Sequence, residues 1–242
     1  MFEQLRDRLD FVIDAWHRLS PRARQRIVIA AAGVGIYVIV APIVTALVFA
    51  PHVPPASDLP RIGTLMAQPD IKSTFVFRRT SADTGGAFVE LDLLMESGGG
   101  PGNAGAHVHP DIEERIQVLE GVAVVRVGRT ERTVAAGNQL VIPKGIAHSI
   151  RNASDRFALV RERFTPAANV DYYYVQVDRA GGFAGAGRTR MAMLSTWFDQ
   201  QYPAVVPIWM TRLGAFLIAP TARLAGVPTY YPPGEALFRP PR

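Results

Sequence analysis

Three of the five histidines in this chain lie between Gly102 and Asn152, where their spacing is suited to metal binding. His107 and His109 are two residues apart, and residues i and i+2 of a β-strand point to the same face of the sheet. Both imidazoles can therefore point towards one position in the interior. Neutral imidazoles combined with one carboxylate are suited to first-row transition metals. The residue types in this stretch predict a metal site.

The strand that follows indicates which carboxylate belongs to that site. Glu114 shares a face with Ile116 and Val118, an apolar row that should point inward. Glu113 lies on the opposite face together with Arg115, and this face should be solvated. Because neighbouring residues in a strand point to opposite faces, only one of the two glutamates can reach the interior. Glu114 is the predicted ligand.

A third imidazole follows in a later strand. His148 shares a face with Ile146 and Ile150, so it should also point inward. A lone inward histidine is usually a core residue with satisfied hydrogen bonds. Four ligand-type residues that converge at these spacings favour metal binding instead.

The stretch resembles the cupin superfamily, and in particular single-domain proteins with a type-2-like cupin. The first cupin motif, with its H-x-H, glutamate and flanking glycines, matches Gly102, His107, His109, Glu114 and Gly121. The second motif, G-x5-P-x-G-x2-H-x3-N, matches Gly137, Pro143, Gly145, His148 and Asn152. The glycines and the proline are more simply explained by turns than by chemistry.

The resemblance implies a mainly β fold, namely a single antiparallel jelly-roll barrel. It also implies one divalent transition metal (Fe, Mn, Ni, Zn or Cu), held by His107, His109, Glu114 and His148. The reaction is not specified, because the superfamily includes oxygenases, isomerases, decarboxylases, sugar-binding domains and storage proteins.

Three functions are compatible with such a site. The first is a mononuclear metalloenzyme, similar to cupin dioxygenases, that acts on a small oxygenated organic molecule and in which Glu114 doubles as a catalytic base. The second is a ligand-binding or sensing module with a structural metal. The third is a structural role in an envelope complex, mediated by helices after the barrel.

The N-terminal segment, residues 1–26, has an amphipathic helical pattern in which apolar residues recur at steps of three and four from Phe2 to Leu19. This pattern favours a helix on a membrane surface over a short self-association seam. Ser20 is suited to an N-cap, and Pro21 to the first position of a second helix.

The next segment, residues 27–50, is uncharged and strongly apolar. Its 24 residues would span roughly 36 Å as a helix, enough to cross a hydrocarbon core of about 30 Å. Arg22, Arg24 and Arg26 precede it, and the positive-inside rule places this end in the cytoplasm. The sequence therefore predicts a single-pass membrane protein with its cupin-like part on the extracytoplasmic side.

The remaining chain is divided by its composition. Residues 51–68 begin with a proline-rich run and are predicted to be a linker. Residues 69–178 should form the barrel. Residues 179–242 should form a helical tail that packs against the barrel, against a twin subunit or on the membrane. The glycine-rich segment 97–105 is predicted to be either a mobile loop over a ligand or a plain strand connection.

Charge and cysteine content limit the partners. The net charge is +5, yet residues 56–165 carry equal numbers of basic and acidic side chains, which gives nucleic-acid binding little support. Cysteine is absent, so disulfides and thiolate ligands are excluded. The expected partners are a small-molecule ligand or substrate, the lipid membrane and a second copy in a homodimer.

Overall fold

The structure is a computed structural model that describes residues 2–48, 56–228 and 230–231. The last two residues of the predicted span, the proline-rich start of the predicted linker and the end of the tail lie outside these ranges. The described residues form mainly antiparallel β-sheet with several helices, as the sequence predicts.

Two helices occupy the N-terminal part. The first, α1, covers Phe2–Arg18, and the second, α2, covers Pro21–Val48. The Ser20 hydroxyl oxygen accepts a hydrogen bond from the Ala23 backbone N–H at 3.3 Å, so Ser20 caps α2 as predicted. Of the helices described, α2 alone is long and apolar enough to cross a membrane, and little of it is buried against the rest of the chain.

Eleven strands in the described residues form two antiparallel sheets. Their bounds are β1 Leu65–Gln68, β2 Ser73–Arg79, β3 Val89–Met95, β4 His107–Val108, β5 Glu113–Glu120, β6 Val122–Val127, β7 Thr130–Ala135, β8 Gln139–Ile142, β9 His148–Arg151, β10 Ala158–Thr165 and β11 Tyr202–Pro203. One sheet has the order β1-β2-β3-β10-β5-β8, and the other has the order β11-β4-β9-β6-β7.

The two sheets form a jelly-roll sandwich in which strand pairing does not close a barrel, a correction to the predicted barrel. Within the described residues no backbone ladder joins one sheet to the other. The sheets instead pack through side chains that alternate inward along each strand, such as Phe75, Leu93, Val125 and Ile150, which are buried in one core. Face-to-face packing therefore encloses the interior without continuous pairing.

The N-terminal edge of the sandwich lies within the predicted linker. Strand β1 pairs with β2, and its alternate residues Met66 and Gln68 are buried. The rest of the described linker is short, with a 3-10 turn at Ala56–Asp58.

The residues after the sandwich form four helices and one strand. The helices are α3 Val170–Arg179, α4 Gly182–Gly185, α5 Gly187–Phe198 and α6 Ile208–Leu224. Strand β11 pairs with β4, so the tail extends the sheet that carries two of the histidines. Helix α6 packs against α2: the Tyr37 hydroxyl donates to the Leu217 carbonyl at 2.6 Å, and the Thr45 hydroxyl donates to the Phe216 carbonyl at 2.8 Å.

Candidate metal centre

The four predicted ligands converge between the two sheets. In one sheet His107 on β4 lies directly opposite His148 on β9, and His109 follows β4. Glu114 lies on β5 of the other sheet, where it pairs with Phe164 and Ile142. One potential ligand atom from each of the four residues lies within 4.8 Å of the others.

Burial shows which of the two adjacent glutamates points inward. Glu114 is only 3% exposed and points into the core, whereas Glu113 is partly exposed on the other face of β5. His109 and His148 are buried, and His107 is partly buried. Strand alternation therefore determines which carboxylate reaches the interior.

Short distances join the carboxylate to two of the imidazoles. Oε2 of Glu114 lies 2.8 Å from Nε2 of His148 and 3.5 Å from Nε2 of His109. Nδ1 of His148 lies 2.9 Å from the Ile146 carbonyl oxygen, which leaves Nε2 of His148 facing the centre of the cluster. A second hydrogen-bonding partner of this kind fixes the orientation of a ligating imidazole.

The imidazole pKa values separate into two groups. Burial lowers the pKa of His107 well below its ordinary value, and the neighbouring His148 and His109 lower it further. Burial also lowers the pKa of His109. Burial opposes the charged form of His148 as well, but the negative charge of Glu114 outweighs burial and raises the pKa of His148. The imidazoles of His107 and His109 are therefore neutral, and the imidazole of His148 forms an ion pair with Glu114.

The carboxyl group of Glu114 has the complementary shift. Burial by itself would raise its pKa, but the charge of His148 and the close contact with His109 lower the pKa below its ordinary value. Glu114 is therefore ionised, as a metal-ligating carboxylate must be.

The buried polar atoms of the cluster fit a metal. Both ring nitrogens of His109, Nε2 of His148 and Oε2 of Glu114 complete no well-formed hydrogen bond with the described residues. Buried polar atoms without partners are costly, and a cation at their centre would satisfy the inward-facing ones. Three imidazoles and one carboxylate are a ligand set for a first-row divalent ion and do not determine which ion binds.

Gln201 is a member of this site that the sequence did not indicate. Its side-chain Nε2 lies 2.9 Å from Nε2 of His107. It follows α5 and comes just before β11, which pairs with β4, so the tail carries the amide to the histidine. No local pattern marks this residue, because its approach depends on the pairing of distant strands.

Glu162 is a second buried carboxyl that the sequence analysis missed. It lies on β10, and its Oε2 completes no hydrogen bond with the described residues. Burial raises its pKa well above the ordinary value, and the charge of Glu114 raises it further, so both effects favour the protonated form of Glu162. Its alternation with the apolar Val160 and Phe164 could have revealed it.

The remaining motif residues have structural roles. The Nδ2 group of Asn152 donates to the carbonyls of Met95, Glu96 and Arg156 at 3.1, 3.1 and 2.6 Å, so this residue ties loops together. Gly102 lies against β9, where an added Cβ would be 2.7 Å from the Ile150 carbonyl oxygen. This contact packs part of the segment 97–105 against the sheet.

A cavity of about 720 Å³ adjoins the cluster on the side of the tail. Both His107 and Gln201 contribute to its lining. Arg126 is exposed on the outer face of β6 and does not contribute to this lining. Residues 101–107 and the C-terminal tail therefore build the cavity together.

Residues 93–160 match the family model of the cupin domain. This segment is a cupin domain. It contains all four residues of the cluster, and its two motifs supply their positions.

Solved structures that are similar to part of this chain come from several bacteria. A predicted oxalate decarboxylase from Thermotoga maritima is 16% identical over 48% of this chain and 99% of its own, with a TM-score of 0.38. An RmlC-like cupin from Shewanella frigidimarina is 12% identical over 48% of this chain and 91% of its own, with a TM-score of 0.35. A search of the curated proteins found no match to this sequence.

Proposed function

We propose that this chain is a membrane-anchored mononuclear metalloenzyme of dioxygenase-like type that acts on a small oxygenated organic molecule. The observation that carries the proposal is the convergence of four ligand-type atoms within 4.8 Å, beside a cavity that His107 helps to line. A site for a structural metal alone has no need of a cavity at one of its ligands.

His107, His109, Glu114 and His148 would hold the metal. A bound divalent ion would supply Lewis acidity and, for a redox-active ion, access to electron transfer. Burial keeps His107 and His109 neutral, so their lone pairs are available. Glu114 neutralises only part of a divalent charge. The site therefore keeps a net positive charge, which favours an enolate or carboxylate group of a substrate.

Two carboxyl groups of the site, those of Glu114 and Glu162, can exchange protons with a bound substrate. Glu114 is ionised and can accept a proton at Oε2, whereas the surroundings of Glu162 favour its protonated form, which can donate one. The sheets around them exclude bulk water, as the burial of both side chains shows. A base and an acid with opposite pKa shifts suit proton transfer to and from a bound substrate.

The membrane assignment is part of the same proposal. Helix α2 has the length and apolarity of a span, and Arg22, Arg24 and Arg26 lie at its N-terminal end. By the positive-inside rule the cupin domain then lies on the extracytoplasmic side. The exposed apolar side chains of α2 would be covered by lipid in this arrangement.

Metal content and oxygen uptake test the proposal together. The full chain, purified in detergent without chelator, should contain near-stoichiometric iron, manganese, nickel or copper. Glu114→Gln should lose the metal, whereas the matched variant Glu113→Gln, whose side chain points away from the site, should keep it. Oxygen consumption with a panel of oxygenated organic acids then tests catalysis. A folded wild-type chain that contains no metal would refute the proposed metal site.

A binding or sensing module with a structural metal is the alternative. The contact of Gln201 with His107 favours it, because both residues line the cavity and the amide occupies one of the two ring nitrogens of His107. This alternative predicts zinc in the purified chain and saturable ligand binding without product. Turnover that depends on a redox-active metal would exclude it.

A further inference from the structure

The cavity beside His107 has a polar inner part and an apolar outer part. Its polar groups are connected through Gln201: the side chain of Gln201 contacts His107, and the Ser195 hydroxyl donates to the backbone carbonyl of Gln201 at 2.7 Å. Tyr173 lies beside Ser195, is fully buried, and its hydroxyl completes no well-formed hydrogen bond with the described residues. The inner part of the cavity therefore offers polar atoms for a ligand group.

The outer part of the cavity is apolar and exposed. Val205 is 90% exposed, and Met210 and Ile218 on α6 are also exposed while they line the opening. Arg188 is the one charged side chain in this lining, and it is exposed at the surface. An opening with so much exposed apolar surface is suited to an apolar ligand or to lipid rather than to water.

The position of α6 connects this opening to α2. Helix α6 lines the cavity with Gly214 and Ala215, and its neighbouring residues Phe216 and Leu217 accept hydrogen bonds from α2. The donors, Tyr37 and Thr45, lie within the apolar part of α2. If α2 spans the bilayer, α6 and the opening lie at the level of the outer leaflet.

We infer that the cavity binds a single-chain amphiphile of the fatty-acid class that enters from the lipid bilayer. Its oxygen-bearing end lies among His107, Gln201 and Tyr173, and its apolar chain lies along α6. A volume of about 720 Å³ falls within the range of roughly 300–1,000 Å³ for small-molecule pockets. This inference deepens the proposed function, on which it rests for the membrane anchor, because it specifies the class of molecule that the site takes.

Photo-crosslinking with the full chain in phosphatidylcholine nanodiscs tests this inference. The probes are palmitic acid with a diazirine on its chain, which resides in the bilayer, and a diazirine derivative of hexanoic acid, which is water-soluble. Mass spectrometry then locates the labelled peptides. Labelling of α5 and α6 by the palmitic probe should saturate and be competed by unlabelled palmitate. General labelling of α2 by surrounding lipid provides an internal standard.

Gly214→Leu supplies the blocking variant. Gly214 lies on α6 in the cavity lining, and a Cβ added there meets nothing within 4 Å, so the helix accepts a side chain that projects into open space. We expect a loss of about tenfold in saturable labelling, because leucine fills the space that the chain needs. Gly35→Leu is the matched control, since Gly35 is a helical glycine on α2 with equal space and lies outside the cavity lining.

The outcomes separate this inference from the proposed function. Labelling that Gly214→Leu leaves unchanged, or an absence of saturable labelling, would overturn the site. Labelling by the hexanoic probe alone would overturn entry from the bilayer. Metal content is measured on the same preparations. A chain that binds metal but takes up neither probe refutes only this inference, whereas one that takes up the palmitic probe but binds no metal refutes only the metalloenzyme.

Discussion

The side-chain amide nitrogen of Gln201 lies 2.9 Å from Nε2 of His107, although 94 residues separate the two in sequence. Burial lowers the pKa of His107 well below its ordinary value, which favours the neutral imidazole that such a contact requires. A metal bound at Nε2 of His107 would compete with the amide of Gln201 for that nitrogen. The tail is in this way a direct part of the candidate metal centre.

Removal of this competitor should tighten metal binding. We expect Gln201→Ala to raise the affinity for Mn²⁺ or Zn²⁺ by about 2- to 10-fold, because a net hydrogen bond is worth about 0.5–1.5 kcal/mol. Competition titration with a chromophoric chelator measures the change. Gln139→Ala, on the exposed surface of β8, is the control and should leave the affinity unchanged. A decrease in affinity in Gln201→Ala would show instead that the amide assists the metal.

The buried pair of Glu114 and His148 should stabilise the metal-free fold as well. In protein treated with chelator, Glu114→Gln should lower the free energy of unfolding by about 3 kcal/mol, the lower end for a broken buried ion pair, because His148 can release its proton. Glu113→Gln should change it by less than about 0.5 kcal/mol, as surface substitutions do. Urea unfolding followed by circular dichroism gives the free energy of unfolding of both variants. Equal losses would contradict a stabilising role of the buried ion pair.

Glu162 should make stability depend on pH. The folded chain keeps a proton on Glu162 that the unfolded chain releases near the ordinary pKa of 4.5, so wild-type stability should fall as pH rises above that value. Glu162→Gln keeps the shape but has no proton to lose. Its stability relative to wild type should therefore increase from about pH 5 to about pH 8. Unfolding midpoints measured across this range test the prediction, with the exposed Glu120→Gln as control.

The contact between α2 and α6 should depend on Ala41. This side chain is 3% exposed in α2, so Ala41→Phe would overpack the contact and loosen α6. Trypsin should then cleave faster after Arg212 and Arg223 on α6 in the detergent-solubilised chain. Ile39→Phe, at a 66% exposed position of the same helix, should leave the cleavage rate unchanged. Equal rates for both variants would argue against this packing.

Asn152 should be the most sensitive polar residue of the second motif outside the ligand set. Asn152→Ala removes three hydrogen bonds to backbone carbonyls and leaves buried groups unpaired, so we expect a loss of about 2–4 kcal/mol. Asn138→Ala, which loses one exposed hydrogen bond, should cost less than about 1 kcal/mol. Thermal unfolding of the two variants compares them. A similar melting temperature for both would show that Asn152 does not tie these loops.

The sequence by itself determined the features that depend on local periodicity. Strand alternation distinguished Glu114 from Glu113, and the motif spacing located the four clustered residues within the cupin domain. The apolar run and its proline start located α2. These predictions succeed because the direction of a side chain in a strand or helix repeats over two to four residues, a distance that the sequence records directly.

Only the tertiary structure decided which distant segments meet. The approach of Gln201 to His107, the packing of α6 on α2 and the open pairing between the two sheets all join residues far apart in the chain. Such contacts depend on how whole elements pack, and many arrangements satisfy the same local pattern. The cavity beside the metal centre is a product of that packing, since the cupin domain supplies one wall and the tail supplies the other.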